Sequence, residues 1–478
     1  MKLTKSDFIA YLDSPLHLWA KANNQLSTIQ LSEYDKLLAK QGYKVEKLAK
    51  QFLRQKINNE YPNGSTLDFQ HVLKHGKYEA RIDALAHDIR HDTYDLYEIK
   101  SSTKINKQHK YDATFQHLIG KSTLPIHKTY LVHLNSDYVK NGEIDLKQLF
   151  EVEDMTEVIL KLEDEVFALR AKALEIIEAS KPPLDVHCYK PKTCPCKQLC
   201  HTNLNEYPIY DLSWWKRNQY EKLVDKGYTK ITDISEEDEL NPKQILQIRS
   251  AKTKQAIINK EAIKKVLDSL VFPLYFLDYE TFNPAIPIHD EYKPYQHITF
   301  QYSLHALNNP NDKELKHYEF LTASKEEPSK QLVESLLKNI GTDGSIIVWN
   351  KSFECNRNKE LASLQDIYAS ELENINKRVF DLMEVFRRGY YVDYRFHGSA
   401  SIKKVLPVLV PELTYDGMEI GEGATAMTKW YDLVHGDLST GKNFSVTKQG
   451  IAGALLKYCE LDTLAMVEIW RVLKKITN

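Results

Sequence analysis

The chain has 478 residues and a net charge of −2, so no global basic field draws it onto nucleic acid and any such binding needs local patches. Hydrophobic residues make up 42% and charged residues 27% of the sequence, which is typical of a globular protein of about two to three domains. No apolar run is long enough to span a membrane and the first residues lack a signal-peptide core, so we expect a cytoplasmic protein without membrane contact.

The first zone, residues 1–205, has an α/β pattern that contains a short hairpin with charged side chains. The segments 81–86 and 94–100 alternate as strands on either side of a polar turn. Glu98 and Lys100 share one face of the second strand, and a hairpin would bring Asp83 alongside them.

This arrangement resembles the PD-(D/E)XK nuclease fold in its RecB-like branch. The resemblance implies that Asp83 and Glu98 bind a divalent metal, and that Lys100 positions water and stabilises charge on a phosphate. It also implies that Glu46, in the pattern Gly-x3-Glu-x2-Ala, lies on a first helix and contributes to the metal site. Gln116, in the pattern Tyr-Asp-x3-Gln, would lie on a helix near that site.

A group of cysteines follows a long helix predicted at 155–180. Its members are Cys188, Cys194, Cys196 and Cys200, and in a reducing compartment such a group indicates a metal. Thiolates suit iron–sulfur and zinc, but the Cys-x2-Cys pairs usual in zinc sites are missing from the sequence.

The cysteine group resembles the 4Fe–4S sites of RecB-like exonucleases of the CRISPR-adaptation and AddB types, which use three late cysteines and one early one. Here Ser14 stands at the early position. Three alternatives therefore stay open: Cys196 as the fourth ligand, zinc in place of the cluster, or four free cysteines.

Residues 206–270 are expected to be a helical connector, punctuated by Gly227 and Pro242. The run 220–231 loosely resembles a helix-hairpin-helix module, which implies contacts from amides and lysines to a DNA backbone. A plain helical linker is the alternative.

Asp278 and Glu280 lie one residue apart near the end of the apolar run 271–281, which we expect to be a buried strand. Alternate side chains on a strand share a face, so the two carboxylates point the same way. They repel each other unless a cation lies between them, and a hard divalent ion such as Mg²⁺ or Mn²⁺ is the simplest cation.

Asp462 falls on the apolar stripe of a helix predicted at 450–475, one turn after Tyr458. A carboxylate on a buried face is costly without a partner. A metal shared with Asp278 and Glu280 would supply that partner, and Tyr458 would then orient a water.

Glu354 is expected early in a helix that follows a strand at 346–349. The order of these elements resembles the RNase H-like DEDD exonucleases, in the subclass with Tyr, where four carboxylates hold two divalent metals. The resemblance assigns Asp278 and Glu280 to the first motif, Asp462 to the third and Tyr458 to the water-positioning role. Glu354 occupies the second motif, where the family usually has Asp, and its side chain reaches one carbon further.

Several nearby residues are expected to be structural. Asp381 follows an apolar pair and is predicted to support the fold, and Cys355 and Cys459 are predicted to be packed residues. The segment 398–404 is predicted to be a loop with a helix N-cap, which could alternatively contact phosphate.

The whole chain resembles a bacterial family that joins a RecB-like nuclease half to an RNase H-like half. Three sequence marks carry this resemblance, at 277–282, 300–305 and 398–407. It implies an α/β multidomain protein with a PD-(D/E)XK nuclease domain over 1–205, the helical connector over 206–270 and an RNase H-like DEDD exonuclease domain over 271–478.

The combined pattern predicts a metal-dependent nuclease with two active sites. We expect it to hydrolyse DNA that is single-stranded or has free ends, with RNA as a further candidate, in DNA repair, processing or anti-phage defence. One alternative is a 3′–5′ exonuclease whose N-terminal half is an inactive scaffold. The other is a nucleic-acid-binding component without enzymatic activity.

Overall fold

A computed structural model describes residues 1–26, 32–60, 64–183, 194–201, 204–310, 312, 314–436 and 444–478, with the side chains of 444–447 excepted. Over these residues the protein is a mixed α/β structure that divides into two units. The N-terminal unit consists of Met1–Asn203 and Asn283–Gln296, and the C-terminal unit of Leu204–Phe282 and His297–Asn478.

The N-terminal unit is built on one mixed sheet. Its elements in chain order are β1 (Leu3–Thr4), α1 (Lys5–Asp13), α2 (Pro15–Ala22), α3 (Glu33–Glu60), β2 (Ser65–His75), β3 (Tyr78–Asp88), β4 (Thr93–Ile99), α4 (Lys107–Gly120), β5 (Ile126–Leu134), α5 (Leu146–Leu149), β6 (Phe150–Asp154), α6 (Thr156–Glu178) and α7 (Lys197–Cys200). The described strands follow the order β1-β3-β4-β5-β6, and β2 pairs with β3. β3 and β4 are antiparallel, which confirms the predicted hairpin, and the predicted long helix is confirmed as α6.

Local capping sequences fix the start of the first two helices. Thr4 and Asp7 form a capping box, so α1 begins at Lys5, directly after β1. Ser14 ends α1 and accepts a hydrogen bond from the Leu16 amide, and Pro15 follows it, so α2 begins where α1 stops. Lys5, the first residue of α1, thereby comes within hydrogen-bond distance of Glu98 on β4.

The segment Asn283–Gln296 packs on the N-terminal unit although it follows a strand of the C-terminal unit. The Ala285 amide donates a 2.6 Å hydrogen bond to Gln41 Oε1, and the Tyr295 hydroxyl donates a 2.7 Å bond to the Ser101 carbonyl. Ala285 is buried in the core that α3 forms with the sheet. The segment is therefore an integral part of this unit.

The C-terminal unit is built on a second mixed sheet. Its elements are α8 (Arg217–Asp225), α9 (Pro242–Thr253), β7 (Ile257–Ile258), α10 (Lys260–Leu267), β8 (Leu274–Phe282), β9 (Ile298–Leu307), β10 (Lys316–Leu321), α11 (Ser329–Asn339), β11 (Ser345–Val348), α12 (Lys351–Leu364), α13 (Ala369–Lys377), β12 (Val379–Asp381), α14 (Glu384–Arg387), β13 (Tyr391–Val392), α15 (Ile402–Leu409), α16 (Gly423–His435) and α17 (Phe444–Thr477). The main sheet has the order β10-β9-β8-β11-β12 over the described residues. β8 lies at its centre, antiparallel to β9 and parallel to β11.

The predicted elements that carry acidic residues are confirmed in this unit. The buried strand is β8, the strand before Glu354 is β11, and the late helix is α17, which is longer than predicted. Aromatic packing of Phe276 and Phe272 against Trp470 holds α17 on the sheet.

The prediction that 206–270 is entirely helical is wrong at one place. Ile257–Ile258 forms β7, a short strand antiparallel to β13. Two consecutive β-branched residues favour an extended backbone here. Between α8 and α9 the chain makes a three-residue 3₁₀ turn, Ile231–Asp233, in the region that loosely resembles a helix-hairpin-helix module. Among the helices of the described chain, none combines the length and apolarity needed to cross a bilayer.

Candidate metal centres

The C-terminal unit brings together three of the predicted acidic residues. β8 directs Asp278 and Glu280 to one face, and α17 carries Asp462 to the same place, so that oxygens of the three carboxyl groups all lie within 4.8 Å of one another. They line a pocket of about 260 Å³ together with Glu354, Lys403 and Tyr458. The alternation of β8 and the helical stripe of α17 thus produce the predicted convergence.

The metal-free acidic cluster opposes its own ionisation. Burial raises the pKa of Asp278 well above its ordinary value, and the Asp462 carboxyl raises it further. Burial and then Asp278 do the same for Glu280. Burial also raises the pKa of Asp462 from 3.8 to about 6, although hydrogen bonds from Tyr415 and Tyr458 counteract it. A divalent cation would remove this repulsion, and an all-oxygen set fits Mg²⁺ or Mn²⁺.

Glu354 lies in the same pocket, early in α12, as predicted. It is outside the group of three whose oxygens lie within 4.8 Å. Its Oε2 atom is buried and has no hydrogen-bond partner among the described residues. Burial, followed by Asp278 and Glu280, raises the pKa of its carboxyl group. This orphaned oxygen fits a cation ligand, and its role as a ligand stays a prediction.

Two tyrosines flank Asp462, and one of them was missed by the sequence reasoning. Tyr415 donates a hydrogen bond to Asp462 Oδ1, and Tyr458 lies one turn before Asp462 on α17. Burial and then the Asp462 charge raise the pKa of both hydroxyls, so both remain protonated donors. Tyr415 lies in an irregular segment between α15 and α16, where no periodic pattern could mark it.

Lys403 supplies positive charge to this pocket. Its Nζ atom lies 5.6 Å from the ring centroids of both Tyr415 and Tyr458 and donates a 2.6 Å hydrogen bond to the Gly421 carbonyl. It lies in the predicted loop-and-helix segment 398–404, where Ser401 occupies the N-cap position of α15 without a side-chain cap bond.

Two further residues of this unit behave as the sequence predicted. Asp381 accepts backbone hydrogen bonds from Lys351 (3.0 Å) and Met383 (3.1 Å), so it stabilises the starts of neighbouring helices. Cys459 is buried, with its thiol 3.7 Å from Asp278 Oδ2.

The N-terminal unit brings a second group of charged residues together around Glu98. Lys5 and Lys100 donate to Glu98 Oε1 at 2.6 and 2.7 Å, and Gln116 donates to Oε2 at 2.8 Å. Burial opposes the charge on Glu98, but Lys100 and Lys5 outweigh it and hold the pKa of the carboxyl at about 2. Asp112 pairs with Lys100 at 2.5 Å. Lys5 and Asp112 were not predicted as site residues.

Asp83 and Glu46 approach this group through a residue that the sequence did not reveal. Gln70 donates from Nε2 to Asp83 Oδ1 at 3.2 Å and to Glu46 Oε1 at 3.1 Å. Gln70 has a φ of 58°, a strained conformation for this residue type within β2. Burial and then Glu98 raise the pKa of Asp83 to about 7. The amide of Gln70 therefore bridges the carboxyl groups of Asp83 and Glu46.

The cysteine group is described only in part, because Cys188 lies outside the described residues. Cys196 is 1% exposed, with its sulfur 3.8 Å from the Leu16 carbonyl in an apolar cluster. Cys194 and Cys200 are partly buried at the edge of this cluster. The sequence reasoning missed His17, whose Nε2 atom lies 3.3 Å from Cys194 Sγ. Thiols and an imidazole together fit a thiophilic metal.

A family model and curated relatives match parts of the chain. A family model described as a domain of unknown function, DUF2779, matches residues 275–401, which include α12 and all of β8 except its first residue. The chain is 29% identical over 231 residues to "Uncharacterized protein MG366" of Mycoplasma genitalium, a match that covers 45% of this chain and 33% of that protein. It is 29% identical over 229 residues to "Uncharacterized protein UU173" of Ureaplasma parvum, covering 42% of this chain and 31% of that protein. The chain thus spans about a third of the length of these relatives.

One solved structure is similar to part of the chain. It is titled "Crystal Structure of an alkaline exonuclease (LHK-Exo) from Laribacter hongkongensis", with 16% identity and a TM-score of 0.25, covering 37% of this chain and 90% of that chain. A TM-score of this size carries no argument about this protein.

Proposed function

We propose that the protein is a divalent-metal-dependent nuclease that hydrolyses phosphodiester bonds of DNA in its C-terminal unit. One observation carries this proposal: oxygens of Asp278, Glu280 and Asp462 converge within 4.8 Å of one another in a pocket that Glu354, Lys403 and Tyr458 also line. Such a concentration of buried negative charge is unfavourable unless it serves to bind cations.

The side chains around this cluster suit phosphodiester hydrolysis. A bound divalent ion would supply Lewis-acid stabilisation of charge on the phosphate. Tyr415 and Tyr458 hold the Asp462 carboxylate in place, and the hydroxyl of Tyr458 can orient the attacking water. Lys403 can pair with a phosphate oxygen at the edge of the pocket.

The topology of the C-terminal unit supports an RNase H-like fold of the DEDD exonuclease type. Numbered from β8, its sheet has the order 3-2-1-4-5, in which strands 3-2 and 2-1 pair antiparallel and strands 1-4 and 4-5 pair parallel. The first strand carries the acidic pair, and Glu354 follows the fourth. We propose that Glu354, with its unpartnered oxygen, is the fourth carboxylate of the site.

The N-terminal unit supplies a second candidate site of PD-(D/E)XK type, with Asp83, Glu98, Lys100, Gln116 and Glu46. Its geometry also favours a second candidate function, in which this unit binds DNA as a scaffold without cutting it. Both oxygens of Glu98 already accept hydrogen bonds, from Lys5 and Lys100 on Oε1 and from Gln116 on Oε2, so a metal ion would compete with two ammonium groups for this carboxylate.

The test is cleavage of end-labelled single- and double-stranded DNA and RNA with Mn²⁺ by the full chain. We expect Asp278→Ala to remove one component of cleavage and Lys100→Ala a separate one. Asp366→Ala and Lys104→Ala, which change exposed residues of the same types, serve as controls.

The outcomes separate the two candidate functions. Full activity in Lys100→Ala with none in Asp278→Ala assigns the N-terminal unit to the scaffold role. Wild-type cleavage by the double variant would show that neither site is catalytic.

A further inference from the structure

We propose that His17 and Cys194 are ligands of one zinc ion, so that an imidazole takes the place of the early cysteine and zinc the place of an iron–sulfur cluster. This site is separate from both candidate nuclease centres.

Ser14 is engaged in shaping this junction. Its hydroxyl accepts a hydrogen bond from the Leu16 amide and caps α2. One turn further along α2, His17 directs Nε2 to Cys194 Sγ at 3.3 Å. A tetrahedral zinc ion, at about 2.0–2.1 Å from nitrogen and 2.3 Å from sulfur, holds such atoms about 3.6 Å apart. The observed separation is thus close to that of two ligands of one ion.

The other ring nitrogen of His17 is held by a carboxylate. Asp13 Oδ2 lies 2.5 Å from His17 Nδ1. Asp13 is the last residue of α1 and His17 belongs to α2, so the pair spans two helices and is not an ordinary pair within one helix. A carboxylate on Nδ1 fixes the tautomer that presents a lone pair on Nε2, which is the arrangement found behind zinc-bound histidines.

The sulfur atom of Cys194 also has the surroundings of a metal ligand. The Cys196 amide donates a hydrogen bond to it at 3.4 Å. Trp19 anchors α2 through a 2.9 Å hydrogen bond from its indole to the Ala179 carbonyl, at the end of α6. This anchor and the apolar packing of Cys196 hold α2 against the cysteine segment.

The identity of the metal follows from the imidazole. Iron–sulfur clusters of the 4Fe–4S type are held by cysteine thiolates, whereas mixed cysteine and histidine ligands are usual for structural zinc. An imidazole with a carboxylate behind it therefore favours Zn²⁺.

The first experiment measures bound metal in the full chain, purified without oxygen from cells supplied with iron and zinc. We expect a colourless protein with about one zinc ion per chain. His17→Ala should lose zinc to a colorimetric chelator at least about tenfold faster, and Asp13→Asn should weaken zinc binding about 10- to 100-fold. His71→Ala is the matched control, because His71 pairs with Asp68 at 2.6 Å on β2.

The second experiment remains informative if His17→Ala fails to fold. His17→Cys keeps a metal ligand, and in the Co²⁺-substituted protein it should raise the thiolate-to-cobalt absorption by about one thiolate. An unchanged cobalt spectrum in His17→Cys would overturn the proposal. A brown wild-type protein with iron and sulfide, or zinc retained equally by His17→Ala and His71→Ala, would overturn it as well. None of these readouts depends on nuclease activity.

Discussion

Tyr415 donates a 2.5 Å hydrogen bond to Asp462 Oδ1. The donor comes from an irregular segment and the acceptor from α17, so the packing of the unit, and no local pattern, creates the contact. Because the hydroxyl stabilises the ionised form of Asp462, it prepares this carboxylate to accept a cation.

Tyr415→Phe should therefore weaken Mn²⁺ binding about tenfold, since a hydrogen bond to a charged group contributes about 1.5–3 kcal/mol. Calorimetric titration of the metal measures this loss. Tyr368→Phe is the control, because Tyr368 donates a 2.8 Å bond to Glu334 on the surface. An equal affinity in both variants would show that Tyr415 does not act on the metal site.

Stabilisation by Mn²⁺ should increase with pH. The pKa of Asp462 in the folded, metal-free protein is about 6, above its ordinary 3.8. Folding therefore favours the protonated form of Asp462. Its contribution to the free energy of unfolding is fully present below pH 3.8 and is lost as the pH rises through about 6. Mn²⁺ needs the ionised carboxylate, so its stabilisation grows in the same window, reaching about 2.7 kcal/mol at about 100 times Kd.

Thermal unfolding with and without Mn²⁺ from pH 5 to pH 7 checks this dependence. Asp462→Asn, which cannot ionise, should remove most of the Mn²⁺-induced rise in Tm. A rise that is constant across this pH range contradicts the assignment of Asp462 as a ligand.

Lys100→Met should destabilise the protein more than Lys5→Met. Lys100 contacts Glu98 at 2.7 Å and Asp112 at 2.5 Å, whereas Lys5 contacts Glu98 at 2.6 Å and Asp112 only at 3.9 Å. Removing one partner of a buried pair is costly, but a second lysine remains on Glu98 in each variant. We expect the free energy of unfolding to fall by about 2–4 kcal/mol in Lys100→Met and by about 1–2 kcal/mol in Lys5→Met.

Urea unfolding at pH 7 and at pH 3 measures both losses. The pKa of Glu98 is lowered from 4.5 to about 2, so its stabilising contribution is present above pH 4.5 and is lost as the pH falls towards 2. Both losses should shrink at pH 3. Lys2→Met, which removes an exposed pair with Glu79, should cost less than about 0.5 kcal/mol.

Gly398→Ala should destabilise the C-terminal unit strongly. Gly398 has a φ of 72°, and a Cβ atom there would lie 2.3 Å from the Asp211 carbonyl oxygen. We expect the free energy of unfolding to fall by about 3 kcal/mol or more, because the steric overlap of the added Cβ atom adds to the cost of a positive φ. Gly417→Ala is the control, since its φ is 81° but an added Cβ meets no described atom within 4 Å.

In Gly417→Ala only the backbone strain of a positive φ acts, so the free energy of unfolding should fall by only about 1–2 kcal/mol. The loop of Gly398 leads into α15 and Lys403, so Gly398→Ala should also raise KM for any substrate that Lys403 binds. Equal stability of the two variants in chemical unfolding would contradict the close approach to Asp211.

Short-range patterns predicted the parts of the site that depend on one element. The two-residue period of β8 places Asp278 and Glu280 on one face, and the helical stripe of α17 places Asp462 and Tyr458. The hairpin of β3 and β4 likewise follows from alternation and a polar turn. Each of these relationships depends on residues within a few positions of one another.

The remaining site residues reach their positions through tertiary packing. Lys5 meets Glu98 across 93 positions of the chain, and Gln70 reaches Glu46 through a distortion of β2 that composition does not reveal. His17 approaches Cys194 across 177 positions. The strand β7 has only two residues, too few for any period to be recognised.

The packing of Asn283–Gln296 on the N-terminal unit has a genetic consequence. The polypeptide passes from one unit to the other at 203–204, 282–283 and 296–297. No single breakpoint in the coding sequence can therefore yield two complete units. A fragment that ends at residue 205 lacks the segment that binds Gln41 and Ser101, and a fragment that begins at residue 271 carries that segment away from its partners. A truncation at any one position therefore leaves at least one of the two units incomplete.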